Sequence, residues 1–150
     1  MANLEVGAPA PAFTAFADNG QTVTKDSLKG QKVILYFYPK DKTPGCTLEA
    51  QNFQRHIGDF QKLGYAVYGI SRDDANSHQD FKAKEQLEFA LLSDPQGQMC
   101  RDFGVLKTED PGEKIARSTF VMDQQGVLTH IYHGVKPATH IQEILKDLQA

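Results

Sequence analysis

The sequence has little of what marks several common protein classes. It holds only two cysteines, Cys46 and Cys100, in 150 residues, too few for a fold built on disulfides. No stretch approaches the roughly 18 consecutive apolar residues of a membrane helix. The opening Met1-Ala2-Asn3-Leu4-Glu5 has neither a basic n-region nor an apolar h-region, so a cytoplasmic location is the expectation. Positive charge is not in excess: 16 basic residues against 19 acidic ones give a net charge of −3, which argues against a nucleic-acid or anionic-membrane surface as the main partner. There is no glycine-rich phosphate loop and no Cys-x-x-Cys pair. The five histidines are scattered, and His130 and His133 on one strand would point to opposite faces, so neither a metal site nor a cofactor is expected. Repeats, low-complexity tracts and linkers are absent, and residues 1–150 read as one domain.

What is present reads as an α/β chain. At 40% apolar and 23% charged residues the composition is that of a soluble globular protein. Asp18-Asn19-Gly20 between Phe13–Phe16 and Val23 predicts a hairpin turn. Val33–Tyr38 is apolar on both faces, the pattern of a central covered strand. Thr43 at the N-cap and Pro44 at N1 then open a helix. Its expected apolar stripe is Leu48, Phe53, Ile57 and Phe60, with Gly64 as the stop. Tyr65–Ile70 is the next strand, Ala75–Gln86 a polar helix anchored by Phe81, and Ala90–Leu92 a short strand. A short helix carries Met99, Cys100 and Phe103, Thr119–Met122 and Val127–Tyr132 flank a turn, and Ile141, Ile144, Leu145 and Leu148 mark a last helix. This order predicts a mixed central sheet flanked by helices, with an N-terminal hairpin extension; a thioredoxin-like fold is one of several α/β arrangements that fit.

One segment carries chemistry. Cys46 falls in the first turn of a helix that leaves the C-terminal end of a buried strand, where open α/β sheets present their crevices. Unpaired N–H groups at a helix start stabilise a thiolate. Read by itself this leaves two alternatives, a nucleophile or a small buried hydrophobe. Thr43 and Pro44 would equally serve as a plain helix start, and Glu49 as an exposed first-turn carboxylate.

Pro39-x-x-x-Thr43-x-x-Cys46 resembles the active-site signature of the peroxiredoxins, and Arg117-Ser118-Thr119-Phe120 resembles the segment that supplies that family's active-site arginine. From Val6-Gly7-Ala8-Pro9 to the last helix the chain is similar to the Q-type branch, the bacterioferritin comigratory proteins. The resemblance implies a thioredoxin-like fold and a thiol-dependent peroxidase reducing hydrogen peroxide and organic hydroperoxides. Cys46 would attack the peroxide and become a sulfenic acid. Thr43 would hydrogen-bond the peroxide and the thiolate, and Arg117 would favour the thiolate and stabilise the charge on the departing oxygen. Pro39 and Gly45 would shape the substrate site, and Glu49 would orient Arg117.

The chain departs from the Q-type pattern at the resolving cysteine. Gln51 stands at one of its usual positions, and none occurs around Phe81-Lys82-Ala83. Cys100, in the short helix with Met99 and Phe103, is read as a packing residue, with a resolving role, within or between chains, as the alternative. The expectation is therefore a one-cysteine cycle in which an external thiol (thioredoxin, glutaredoxin or a small thiol) reduces the sulfenic acid. A monomer is expected by resemblance, with a dimer as the alternative. The rival enzyme class, a thiol–disulfide exchanger, is disfavoured because Glu49 occupies the second position a Cys-x-x-Cys would need.

Overall fold

The computed structural model describes residues 4–109 and 112–149. Its frame is a mixed sheet of seven strands among the described residues, in the order β2-β1-β5-β4-β3-β8-β9. The first hairpin, β1 (Thr14–Ala17) and β2 (Thr22–Thr24), turns where Asn-Gly predicted. Gly20 there takes φ +86°, and its N–H donates to the Ala17 carbonyl. β3 (Lys32–Phe37) pairs in parallel with β4 (Tyr65–Ser71), which pairs in parallel with β5 (Ala90–Ser93). β8 (Ser118–Met122) and β9 (Leu128–His133) extend the other edge antiparallel.

β3 is buried on both faces, and its alternation divides the core in two. Val33, Leu35 and Phe37 pack on one side with Phe103, Phe120 and Met122. Ile34, Tyr36 and Tyr38 pack on the other with Phe53, Phe60, Val121, Ile141 and Ile144. That second face is covered by α1 (Pro44–Arg55), α2 (Ile57–Lys62), α3 (Ala75–Glu85) and α5 (His140–Gln149). The first is covered by α4 (Gln98–Asp102), the N-terminal segment and a hairpin of β6 (Leu106–Glu109) and β7 (Gly112–Ile115). Periodicity gave no sign of this second hairpin, because Lys107, Thr108, Glu113 and Lys114 carry no apolar alternation.

Two expectations for the helix after β3 are corrected. It is not continuous to Gly64: the ladder breaks at His56 (φ −105°, ψ 12°), whose N–H is shared between the Asn52 and Phe53 carbonyls. Leu48 is not in the buried stripe but 40% exposed. The inward face of α1 is Cys46, Glu49, Ala50 and Phe53, at i, i+3, i+4 and i+7. The break at His56 turns α2 so that Phe60 returns to the sheet beside Phe53. Gly64 then ends the pair of helices at φ +86°.

Close approach across β3 and β4 depends on one glycine. Gly69 stands opposite Tyr36 in the ladder, and a Cβ there would lie 2.8 Å from Tyr36 Cζ and 2.9 Å from Leu91 Cδ2. The missing side chain lets the Tyr36 ring lie over the sheet and stack on Phe53, with centroids 4.4 Å apart.

Candidate active site

Cys46 occupies the first turn of α1 at the C-terminal end of β3, with 1% of its surface exposed. Arg117, in the link between β7 and β8, reaches it because β8 lies beside β3 in the sheet. One guanidinium nitrogen, Nη2, donates to Cys46 Sγ at 3.4 Å, and the other, Nη1, donates to Glu49 Oε1 at 2.6 Å. The fork thus spans two groups one helical turn apart on the same face of α1. Gly45 makes this approach open, since a Cβ there would sit 3.2 Å from Arg117 Nη2. The structure therefore brings together Cys46, Arg117 and Gly45.

Thr43 and Pro39 stand differently. Thr43 is the N-cap residue by backbone (φ −78°, ψ 154°), but its hydroxyl does not cap the helix. It donates instead to the Lys40 carbonyl at 2.9 Å, within the turn that leads into α1. The capping role expected for its side chain is thus replaced by a turn-stabilising one. Pro39 is half-buried at the head of the same turn.

Glu49 is the residue the sequence reading undervalued. The exposed-carboxylate alternative is overturned: its side chain is fully buried and its Oε2 has no partner among the described residues. Burial raises its pKa to about 7 against the pull of the Arg117 charge. Arg117 moves up as well: burial works against its charge, and Glu49 and Cys46 outweigh that effect. Placing Cys46 inward and counting i+3, i+4 and i+7 would have found Glu49 on the buried stripe. Asn52 donates to the Pro137 carbonyl at 3.0 Å and ties α1 to the segment before α5. Behind it, His140 is buried and bonded to Thr119 Oγ1 at 2.7 Å; burial and the Arg117 charge lower its pKa to about 4, so it stays neutral at pH 7.

Cys100 lies elsewhere. It belongs to the core cluster of Val33, Leu35 and Phe37, whereas Cys46 belongs to that of Ile34, Tyr36 and Tyr38. The two thiols are therefore on opposite faces of the sheet, and Cys100 has no exposed surface. Burial, with the neighbouring Asp94 carboxylate, pushes its thiol pKa well up. This placement fits the packing role for Cys100 and lends no support to a resolving role within the chain: a disulfide needs Cα atoms within about 7 Å, and the two thiols sit in core clusters on opposite faces of β3. A surface cleft lined by Phe13, Phe16, Pro95 and Met99 is on that same far side. No group of three or more acidic, histidine or cysteine side chains poised to hold a metal occurs among the described residues.

The fold is thioredoxin-like, and a thiol at a helix start beneath a guanidinium fork defines a thiol-dependent redox enzyme. The profile of the AhpC/TSA family matches residues 6–131. The putative peroxiredoxin bcp of Coxiella burnetii is 44% identical over 147 residues, covering 95% of this chain and 97% of that protein. Peroxiredoxin Bcp of Bacillus subtilis is 38% identical over 150 residues, covering 97% and 96%. Among solved structures, peroxiredoxin Q of Xanthomonas campestris superposes with a TM-score of 0.89 at 35% identity, covering 99% of this chain and 96% of that one. A cysteine-to-serine mutant of Xylella fastidiosa PrxQ gives a TM-score of 0.92 at 29% identity, covering 99% and 98%. The chain belongs to the AhpC/TSA family, in its peroxiredoxin Q (Bcp) branch, and is a thiol peroxidase that works through a peroxidatic cysteine.

Proposed function

We propose that Cys46 is the peroxidatic residue of a one-cysteine cycle. The observation that carries this reading is the Arg117 fork, with Nη2 on Cys46 Sγ and Nη1 on buried Glu49. The Cys46 thiolate attacks the terminal oxygen of a hydroperoxide. The S–O bond forms as the O–O bond breaks, the sulfur is oxidised to a sulfenic acid, and the peroxide's other oxygen leaves as an alkoxide or hydroxide that takes a proton from water. Arg117 holds the thiolate before attack and faces the charge that develops on the leaving oxygen. Glu49 fixes the guanidinium plane. Gly45 leaves space for it, the backbone N–H groups at the start of α1 add positive potential, and Thr43 and Pro39 shape the approach to the thiol.

The sulfenic acid is then reduced from outside. One thiol condenses with it to a mixed disulfide and releases water; a second thiol attacks that disulfide and returns the Cys46 thiol. The placement of Cys100 on the far face of the sheet supports an external reductant, of the thioredoxin, glutaredoxin or small-thiol class. Hydrogen peroxide and organic hydroperoxides are the proposed substrates, and a monomer is the proposed state of the enzyme.

The test is mass spectrometry of wild type, Cys46→Ser and Cys100→Ser after one equivalent of peroxide. The expected product is one added oxygen on Cys46, formed equally in Cys100→Ser and removed by added thiol. A Cys46–Cys100 disulfide would refute the one-cysteine cycle, and an unmodified Cys46 would refute its peroxidatic role.

A further inference from the structure

The mechanism leaves unused a fully buried polar cluster behind the turn that enters α1. Asp41, in that turn, and His78, on α3, have side chains 1% and 0% exposed, with His78 Nδ1 2.7 Å from Asp41 Oδ2. The other oxygen, Asp41 Oδ1, accepts from Tyr38 Oη at 2.5 Å, and Oδ2 also accepts from Ser77 Oγ at 2.8 Å. His78 Nε2 faces the Leu92 carbonyl at 3.1 Å. A carbonyl only accepts, so Nε2 carries a proton. The short Nδ1 contact then needs a second proton, held between imidazole and carboxylate, so the pair is neutral as a whole whichever partner holds it. Both ends of the imidazole are thereby satisfied.

The cluster bears on a turn that would not hold its shape unaided. Lys42, the next residue, takes φ +69°, a left-handed conformation rare for a side-chain-bearing residue. Its ammonium pairs with Asp80 on α3 at 2.6 Å. The Asp41 N–H donates to Asp73 Oδ2 at 2.8 Å, and that oxygen also accepts from Ser71 Oγ at 2.7 Å. Asp41 and Lys42 are thus fastened in succession to β4, α3 and the corner between them. The next residue, Thr43, is the N-cap of the helix that carries Cys46.

We propose that His78 and Asp41 are the positioning pair of the peroxidatic pocket, fixing the Pro39–Thr43 turn against α3 so that the start of α1 and Cys46 meet Arg117 in reactive geometry. The inference rests on Cys46 being the peroxidatic residue. His78 touches no reacting atom; it acts through Asp41 and the turn. Small displacements at such a site have large kinetic consequences, because misplacement by about 1 Å can cost on the order of 10²-fold in rate.

The experiment compares wild type, His78→Leu, His78→Asn and Asp41→Asn in three measurements: single-turnover peroxide consumption, the pH profile of Cys46 alkylation by iodoacetamide, and thermal midpoint. His78→Leu removes both hydrogen bonds and is expected to slow peroxide consumption by about 10²-fold and to move the alkylation profile to higher pH. His78→Asn places an amide N–H near the Nδ1 position but cannot reach Leu92, so it is expected to recover most of the rate while remaining less stable than wild type. Asp41→Asn cannot accept from all three donors and is expected to lose rate in the same direction; it decides the matter if His78→Leu does not fold. Folded variants with the wild-type rate and alkylation profile and only a lower thermal midpoint would overturn the proposal, as would a His78→Asn protein as slow as His78→Leu. Cys46→Ser run alongside separates the two readings: if it still consumes peroxide, the peroxidatic assignment fails irrespective of His78.

Discussion

Glu49→Gln tests the electrostatics of the site through stability rather than turnover. Burial raises the carboxyl from 4.5 to about 7, so the folded protein retains a proton that the unfolded chain releases between those values. The stabilisation this gives is fully present below about pH 4.5 and is lost as pH rises through 7. At about 1.4 kcal/mol for each tenfold change in proton affinity, the contribution falls by about 2–3 kcal/mol between pH 5 and pH 8. Glutamine has no such proton, so the difference in unfolding free energy between wild type and Glu49→Gln should change by about that amount over the same interval, wild type being relatively better at pH 5. Any fixed cost of burying the amide cancels in this comparison. Urea unfolding at both pH values, at one ionic strength and with reductant present, measures it. A wild-type-to-variant difference equal at pH 5 and pH 8 would refute the reasoning, and would mean that Arg117 holds Glu49 ionised despite its burial.

Arg117→Met should lower the rate of Cys46 oxidation by about 10²–10³-fold, the usual cost of one preorganised donor, and Arg117→Lys should recover little because one ammonium cannot reproduce the fork; stopped-flow peroxide kinetics distinguish the two. Cys100→Ser should leave thiol-driven peroxidase turnover unchanged in a steady-state assay, with any effect confined to stability. Gly69→Ala should destabilise by about 1–3 kcal/mol, since its Cβ would force the Tyr36 ring and Leu91 apart in a packed core; the midpoint of chemical denaturation reports this, and an unchanged midpoint would show that the ring moves at little cost.

Local chemistry was legible in the sequence wherever the signal spans a few residues. Asn19-Gly20 specified a hairpin, Pro44 the start of α1 and Gly64 the stop that follows α2, because positive φ and the missing proline N–H are properties of single positions. The unbroken apolar run at β3 marked the central strand, and the Pro39, Thr43 and Cys46 spacing marked the reactive turn. Leu48 shows where such reading stops: hydrophobicity placed it inward, but the helix is oriented by Cys46, Ala50 and Phe53, and a buried carboxylate takes the remaining inward position. The partner of buried Glu49 is Arg117, 68 residues along the chain. The hairpin of β6 and β7 and the break at His56 were equally hidden, since neither is announced by residue type.

What the sequence by itself determined is the set of local elements and the identity of the reactive thiol's surroundings within one turn of helix. Tertiary structure alone decided which distant groups meet there. Arg117 reaches Cys46 because β8 lies next to β3, His78 reaches Asp41 because α3 packs over the same end of the sheet, and Cys100 is kept from Cys46 because β3 side chains alternate between two separate cores. Each of these depends on strand order and on the face to which a side chain points, and neither is encoded in any short window of residues.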